Sequence, residues 1–290
     1  MKYGIYYAYW EHEWAADYLK YVDKVAGLGF DILEVGGAPL PDYTQSDVEA
    51  LKERADAAGI ELTVGYGPAY EHDMGNSDPE IRKNALEWYK KLFAVMEKLD
   101  AHVLCGALYS HWPVDYSKGV NKEEDWKRSV EGMKVLAPVA SDFGVELNLE
   151  VLNRFENHIL NTAEEGVQFV KEVDQKNVWV HLDTFHMNIE EDSITQAIRT
   201  AGSYLGHVHV GECNRKVQGK GSRMPWKDIA DTLNDIGYDK RIVMEPFVRM
   251  GGQVGSDIKV WRDISKGASE EQMDQDARDA RIFLKYLIGR

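Results

Sequence analysis

Cysteine is scarce in this chain of 290 residues: only Cys105 and Cys213 occur, and they form no Cys-x-x-Cys pair. This argues against a disulfide-built scaffold and against a zinc ribbon, because both need several spaced cysteines. No run of about 18 apolar residues is present, so no segment is predicted to span a bilayer. Met1 to Tyr6 passes directly into a strand-like run without the pattern of a signal peptide. We therefore predict a cytoplasmic protein without a membrane partner.

Basic residues are few relative to acidic ones. Lysine and arginine total 34 and aspartate and glutamate total 49, which gives a net charge of -15. Such a surface repels phosphate backbones and anionic lipids, so we predict no nucleic-acid partner, and the simplest consequence of the charge is solubility. Hydrophobic residues at 44% and charged residues at 29% are ordinary for a globular protein with a sizeable core.

Strand-like runs alternate with amphipathic helical segments along the whole chain. The predicted strands cover residues 3–7, 31–35, 60–64, 101–105, 145–149, 178–182, 205–210 and 241–244. Capping residues and glycines predict the helices between them, at about residues 14–27, 46–58, 79–99, 122–143, 162–173, 191–201, 225–236 and 269–287. Ser46 with Glu49 is interpreted as a capping box, and Pro138 as a kink.

Eight strand-then-helix units without a break in composition predict an α/β fold, a single (β/α)8 TIM-barrel domain over residues 1–290. An open doubly wound sheet is the alternative, but no Gly-x-Gly-x-x-Gly follows any strand. Residues 65–77, 106–121 and 247–268 form the longest connections, and all three follow strands, so we expect them on the carboxyl-terminal rim. Tyr66 and Trp112 in these loops are interpreted either as pocket lining or as packing or oligomer contacts.

Four consecutive predicted strands end in an acidic or imidazole side chain: Glu150, Asp183, His209 and Glu245. In a parallel barrel these groups converge on one mouth. Three carboxylates and one imidazole repel one another unless a divalent cation lies between them, and this oxygen-rich set suits Mn²⁺, Co²⁺ or Mg²⁺ better than structural zinc. Each residue alone is better explained as a helix cap or an ion-pair partner, so the metal prediction rests on all four.

Three further groups lie in the same predicted strands or end another one. His181 and His207 precede Asp183 and His209 by two residues, so they are expected one layer deeper, as satisfied core histidines or partners of the ligands. Glu34 ends the second strand, which is expected on the far side of the mouth, and this argues against a metal role for Glu34.

A metal held by carboxylates polarises the carbonyl and adjacent hydroxyl of a small polyol. Removal of the proton beside that carbonyl leaves an enediolate, whose electrostatic stabilisation is the main catalytic contribution. Two carboxylates on opposite faces of the carbon give epimerisation. Proton transfer between neighbouring carbons on one face gives aldose–ketose isomerisation instead.

The chain resembles the ketose 3-epimerase family, the D-tagatose 3-epimerase and D-psicose (D-allulose) 3-epimerase group of the xylose-isomerase-like barrels, and is most similar to the psicose branch. The resemblance covers essentially the whole length, and it is carried by the segments at residues 1–7, 149–156, 181–188, 206–209 and 244–247. Their sequences are MKYGIYY, LEVLNRFE, HLDTFHMN, GHVH and MEPF.

The resemblance implies a role for thirteen residues. Mn²⁺ or Co²⁺, with Mg²⁺ also possible, would be bound by Glu150, Asp183, His209 and Glu245, and Glu150 and Glu245 would be the acid–base pair at C3. The O1 to O3 end of the ketose would be held by Glu156, His186 and Arg215, whose fixed fork of donors grips two oxygens at once. The wall around the far end would be formed by Tyr6, Trp14, Gly65, Ala107, Trp112 and Phe247.

We therefore predict a metal-dependent epimerase that interconverts D-fructose and D-psicose, and also D-tagatose and D-sorbose, and that forms homodimers or homotetramers. A hydroxypyruvate- or rhamnose-type aldose–ketose isomerase of the same superfamily is the first alternative. A DNA-repair endonuclease of this superfamily would need a histidine-rich multi-zinc site and a basic face. A non-catalytic sugar-binding barrel that keeps the metal site for stability is a third possibility.

Overall fold

Eight parallel strands close into a barrel in chain order in the computed structural model, which describes residues 1–221 and 223–289. The strands are β1 (Lys2–Tyr6), β2 (Ile32–Gly36), β3 (Glu61–Gly65), β4 (Val103–Gly106), β5 (Glu146–Val151), β6 (Val178–Asp183), β7 (Leu205–Val210) and β8 (Arg241–Met244). Because β8 pairs with β1, the barrel is closed. The predicted TIM barrel is confirmed, and the open-sheet alternative is wrong.

Helices follow every strand and cover the outside of the barrel. Within the described residues they are α1 (Tyr18–Leu28), α2 (Gln45–Ala58), α3 (Pro79–Lys98), α4 (Lys122–Asp142), α5 (Ala163–Val173), α6 (Thr184–Glu190), α7 (Ile194–Ala201), α8 (Trp226–Asp235), α9 (Gly252–Asp257) and α10 (Glu270–Ile288). Single turns of 3-10 helix lie at Tyr7–Tyr9, Leu40–Asp42, Tyr70–His72, Tyr116–Lys118 and Gly202–Tyr204. None of these helices is long and apolar enough to cross a membrane.

Two helix predictions need correction. The capping box of α2 is formed by Thr44 and Asp47, whose side chains each bind the backbone N–H of the other, so the predicted Ser46–Glu49 box is two residues too late. The segment between β6 and β7 forms two helices where one was predicted. Asp183 accepts a hydrogen bond from the N–H of Phe185 and so caps α6, a helix that follows its strand without a loop.

The pairing of β6 with β7 determines how far along the barrel axis Asp183 and His209 lie. The register shifts between Val180 and His181, and beyond this shift Asp183 lies opposite His209. Gly206 lies at the shift, where a Cβ atom would stand 2.1 Å from Oδ1 of Asn148, so only glycine fits there. The irregularity brings the ends of both strands to one level at the carboxyl-terminal mouth.

Candidate active site

The four side chains at the ends of β5 to β8 meet at the floor of the barrel mouth. One ligand atom from each of Glu150, Asp183, His209 and Glu245 lies within 4.8 Å of those of the others. Nδ1 of His209 is 3.8 Å from Oε1 of Glu150 and 3.5 Å from Oε1 of Glu245. Glu150, Asp183 and His209 are buried, whereas Glu245 is partly open to the cavity. The predicted set is therefore brought together in one place.

The donor set of this cluster fits a divalent cation. Oε1 of Glu150 and Nδ1 of His209 are buried and have no hydrogen-bond partner among the described residues. Buried polar atoms in native proteins are nearly always satisfied, so these two unpartnered atoms fit the role of ligands to a cation. Three carboxylate groups and one imidazole nitrogen match the ligands that Mn²⁺ and Mg²⁺ prefer.

The shifted pKa values of the cluster also indicate that a positive charge would stabilise its ionised carboxylates. Burial, and then the charge of Glu245, raise the pKa of Glu150 well above its ordinary value. Burial raises the pKa of Asp183 to about 6, although the charge of Arg215 opposes this. Burial lowers the pKa of His209, but the charges of Glu34 and Glu245 outweigh it and raise that pKa well above its usual value. A cation placed between these groups would reverse the shifts of the carboxyls.

Beneath the cluster, Glu34 reaches across the barrel interior to His209. Nε2 of His209 is 2.6 Å from Oε1 of Glu34, and Nε2 of His207 is 3.1 Å from its Oε2. β2 lies on the far side of the mouth as expected, but the barrel is narrow enough for inward side chains of opposite strands to touch. His207 is a partner within this layer, as one of its two interpretations proposed. His181 has no hydrogen-bond partner for either ring nitrogen within the described chain, and its ring instead packs edge-on against that of His209 at 4.1 Å.

Arg215 holds the carboxylates beside the cluster. Its Nη1 donates to Oδ2 of Asp183 at 3.3 Å and to Oε2 of Glu245 at 3.1 Å, and its Nη2 donates to Oε1 of Glu156 at 3.2 Å. The guanidinium carbon lies 3.7 Å from the centre of the Phe185 ring, a stacking contact suited to arginine. Nε of Arg215 is buried and has no partner in the described chain.

His186 presents a donor to the same space. Its Nδ1 accepts a hydrogen bond from the backbone N–H of Asn153 at 3.1 Å, so Nε2 carries the proton of the neutral ring. That Nε2 lies 3.7 Å from Oε1 of Glu150 and 3.8 Å from Oδ2 of Asp183. Asn153 also donates from Nδ2 to Oε1 of Glu156 at 3.0 Å. Sequence reasoning gave Asn153 no role, although it lies in the 149–156 segment that carries the resemblance.

A cavity of about 500 Å³ rises above the cluster, and twelve of the thirteen predicted residues line it. The exception is Asp183, which is 1% exposed. The wall residues come from strand ends and rim loops. The ring of Trp14 makes edge-to-face contacts with two of them, and its centre lies 6.1 Å from the ring centre of Trp112 and 6.3 Å from that of Phe247. Tyr66 also lines the cavity, which favours the pocket interpretation of Tyr66 and Trp112.

Sequence reasoning missed part of the far wall. The cavity is also lined by Glu71, His72, Gln253, Asp257 and Ile258. Asp257 lies in α9 and accepts a hydrogen bond from Nε1 of Trp14 at 2.8 Å. The backbone of α9 is joined to the loop after β1, because the N–H of Val254 donates to the carbonyl of His12 at 3.0 Å. No local pattern in the sequence identifies this pairing of two rim loops, in which Trp14 and Asp257 are 243 residues apart.

Known proteins are similar to this chain over nearly its full length. Residues 22–274 match a family model described as xylose isomerase-like TIM barrel. A D-psicose 3-epimerase of Ruminiclostridium cellulolyticum is 60% identical over 288 residues, which are 99% of this chain and 98% of the relative. A solved D-psicose 3-epimerase of Clostridium cellulolyticum H10 with D-tagatose superimposes with a TM-score of 0.98 at 60% identity, covering 99% of both chains. A D-psicose 3-epimerase solved in the presence of D-fructose gives a TM-score of 0.98 at 51% identity and covers 100% of both chains.

Proposed function

This chain belongs to the ketose 3-epimerase family of xylose isomerase-like TIM barrels and is a sugar isomerase, and we propose that it interconverts D-fructose and D-psicose in a metal-dependent reaction. The observation that carries this proposal is the convergence of three carboxylates and one imidazole within 4.8 Å at the floor of an open cavity. The similarity to D-psicose 3-epimerases, one of them solved in the presence of D-fructose, supports the choice of substrate.

Glu150, Asp183, His209 and Glu245 are the residues that would hold the ion, Mn²⁺ or Co²⁺, with Mg²⁺ also possible. When bound, the ion supplies positive charge that polarises the C2 carbonyl of the ketose and offsets the negative charge developing on its oxygens. The unpartnered atoms of Glu150 and His209 support this assignment.

Glu150 and Glu245 form the acid–base pair in this proposal. One carboxylate takes the proton from C3, and the electron pair of the C3–H bond forms the C2–C3 double bond as the C2 oxygen becomes negative. The other carboxyl gives a proton to the opposite face of C3, and the C2 carbonyl forms again. The product is the C3 epimer, and the two carboxyls have exchanged protonation states. Their positions, Glu150 near the end of β5 and Glu245 directly after β8, each within 3.8 Å of Nδ1 of His209, support this division of roles.

Glu156, His186 and Arg215 hold the O1 to O3 end of the sugar. His186 offers Nε2–H and Arg215 offers its free Nε–H, while Glu156 provides a carboxylate as acceptor. These contacts fix C3 between the two acid–base groups, which reduces the entropic cost of reaching the reactive geometry.

The far end of the sugar meets a wall formed by Tyr6, Trp14, Gly65, Ala107, Trp112 and Phe247, whose side chains are aromatic or small. These six residues offer fewer directional contacts than the O1 to O3 end, so D-tagatose, with D-sorbose as its C3 epimer, is proposed as a second substrate pair. The solved relative that contains D-tagatose supports this extension.

The decisive experiment is sugar analysis after incubation of the purified protein with D-fructose, before and after chelation and after addition of Mn²⁺. We expect D-psicose, loss of turnover on chelation and recovery with Mn²⁺. Appearance of an aldose instead would favour the aldose–ketose isomerase. Binding of sugar without any turnover would favour a sugar-binding barrel. In D₂O, deuterium is expected at C3 of the product, and its absence would contradict the exchange of protons with the solvent.

Two further properties remain predictions. A homodimer or homotetramer is expected, which light scattering coupled to gel filtration would measure. A cytoplasmic location is also expected, and fractionation of the source cells would test it.

A further inference from the structure

Glu34 is a buried carboxylate within the barrel, beneath the floor of the cavity, and hydrogen-bond donors surround it. Its side chain is 0% exposed. Oε1 faces Nε2 of His209 at 2.6 Å, while Oε2 faces Nε2 of His207 at 3.1 Å, Oγ1 of Thr63 at 2.9 Å and Sγ of Cys105 at 3.3 Å. In the described chain, no lysine or arginine pairs with it. A buried carboxylate without a permanent cation is costly, so the position calls for an explanation beyond packing.

The contact with His209 determines which ring nitrogen is free. An ionised carboxylate only accepts hydrogen bonds, so the nitrogen that faces Glu34 carries the proton. In the neutral ring, the form that binds a cation, this leaves the lone pair of Nδ1 on the side of Glu150 at 3.8 Å and Glu245 at 3.5 Å. Nδ1 has no other partner among the residues described. The imidazole ring therefore separates Glu34 from the ion position, and Glu34 itself is not placed as a ligand.

The second oxygen of Glu34 keeps the carboxylate in this orientation. Thr63 and His207 both donate to Oε2, so rotation of the carboxylate away from His209 would break two further hydrogen bonds. Partners of this kind fix the ring orientation and raise the basicity of metal-binding histidines.

We propose that Glu34 is a positioning residue for the metal: it holds the proton of His209 on Nε2 and thereby presents Nδ1 to the ion. This inference rests on the proposed metal-dependent function. It adds to the four ligands a fifth residue that never touches the ion or the sugar. Glu34 is also close enough to Cys105, His207 and His209 to form a second ion site with them, but each of those contacts is accounted for by a hydrogen bond.

The test is the affinity for Mn²⁺ of Glu34→Gln, measured by competition with a chelator. Glutamine has the same shape as glutamate, but one acceptor oxygen is replaced by an NH₂ group. In either orientation of the side-chain amide, this NH₂ group faces another hydrogen-bond donor. We expect the affinity to fall about 10- to 100-fold, the usual effect of losing such a partner. Glu61→Gln is the matched control, since it makes the same change in a carboxylate that pairs with Lys2 and Arg241 at the start of β3, outside the cavity lining, and its affinity should stay close to that of the wild type. Thermal unfolding of both metal-free variants checks that the comparison concerns folded protein.

A second measurement needs no change at Glu34. In Mg²⁺-loaded protein with ¹⁵N-labelled histidines, the NMR signals of His209 should show a proton on Nε2 and none on Nδ1, with His209→Gln used to identify them. A proton on Nδ1, an unchanged Mn²⁺ affinity in Glu34→Gln, or two ions bound per chain would each overturn the inference. If the wild type binds no Mn²⁺ and epimerises without it, the proposed metal-dependent function is wrong, and the role of Glu34 falls with it. If the wild type binds Mn²⁺ and Glu34→Gln binds it equally well, only the role of Glu34 falls.

Discussion

Replacement of Arg215 by lysine gives a sharp test of the site. The guanidinium contacts Asp183 and Glu245 through Nη1, and Glu156 through Nη2, at 3.1 to 3.3 Å. A single ammonium group cannot bridge both sides, so at least one charge-assisted hydrogen bond is lost. Each such bond contributes about 1.5 to 3 kcal/mol, which corresponds to roughly a 10- to 150-fold fall in kcat/KM. We expect Arg215→Lys to lose activity within this range.

The assay is the initial rate of D-psicose formation from D-fructose in Mn²⁺-loaded enzyme. Arg154→Lys is the matched control, because Arg154 also grips a carboxylate, that of Glu190, with contacts of 2.7 to 3.2 Å, but it lies on the surface outside the cavity. Its kcat/KM should stay within about twofold of the wild type, as expected for an exposed pair. An Arg215→Lys enzyme with wild-type kcat/KM, or an equal loss in Arg154→Lys, would refute the reasoning.

Three further outcomes are expected. Glu150→Gln and Glu245→Gln should each lower kcat by at least about 10³-fold, which is within the usual rate factor of general acid–base catalysis. A residual kcat above a tenth of the wild-type value in either variant would contradict the acid–base assignment. Burial raises the pKa of Asp183 to about 6, so the metal-free fold keeps a proton that the unfolded chain has released. The contribution of Asp183 to stability should therefore be lost as pH rises from about 4 to 6, so the Tm of the metal-free wild type should fall relative to that of Asp183→Asn over this range. Mn²⁺ should raise the Tm of the wild type more at pH 7.5 than at pH 5 in a thermal melt. Asp257→Ala removes the hydrogen-bond acceptor that holds the Trp14 side chain, a bond of about 1 kcal/mol. The KM for D-fructose should therefore rise about fivefold with little change in kcat. A loss confined to kcat would contradict a role of Trp14 in the wall.

The ends of the last four strands were predictable from the sequence for a simple physical reason. Buried parallel strands are short apolar runs, and the first polar group after each run lies at the barrel mouth. Glu150 and Asp183 fall inside the observed β5 and β6, and His209 inside β7, each within two residues of the strand end. Glu245 directly follows β8. The positions of all four could therefore be inferred before any distance was known.

Contacts across the barrel or between rim loops could not be inferred in this way. Whether Glu34 reaches His209 depends on the diameter of the barrel and on the size of the side chains between them, and neither is encoded by local periodicity. The same holds for Asp257, whose partner Trp14 comes from the opposite end of the chain. The α2 capping box shows a smaller limit, since Thr44 and Ser46 are both good caps and only the backbone conformation decides between them.

The two halves of the barrel contribute different parts of the candidate site. The four proposed ligand side chains lie at the ends of β5 to β8, whereas most of the proposed wall, from Tyr6 to Trp112, comes from β1 to β4 and the loops that follow them. If these assignments hold, selection for a different sugar tail can act on the early loops while the ion and the reacting carbon keep their surroundings. A library restricted to the first half of the gene is the economical way to redirect such an enzyme toward shorter or longer ketoses.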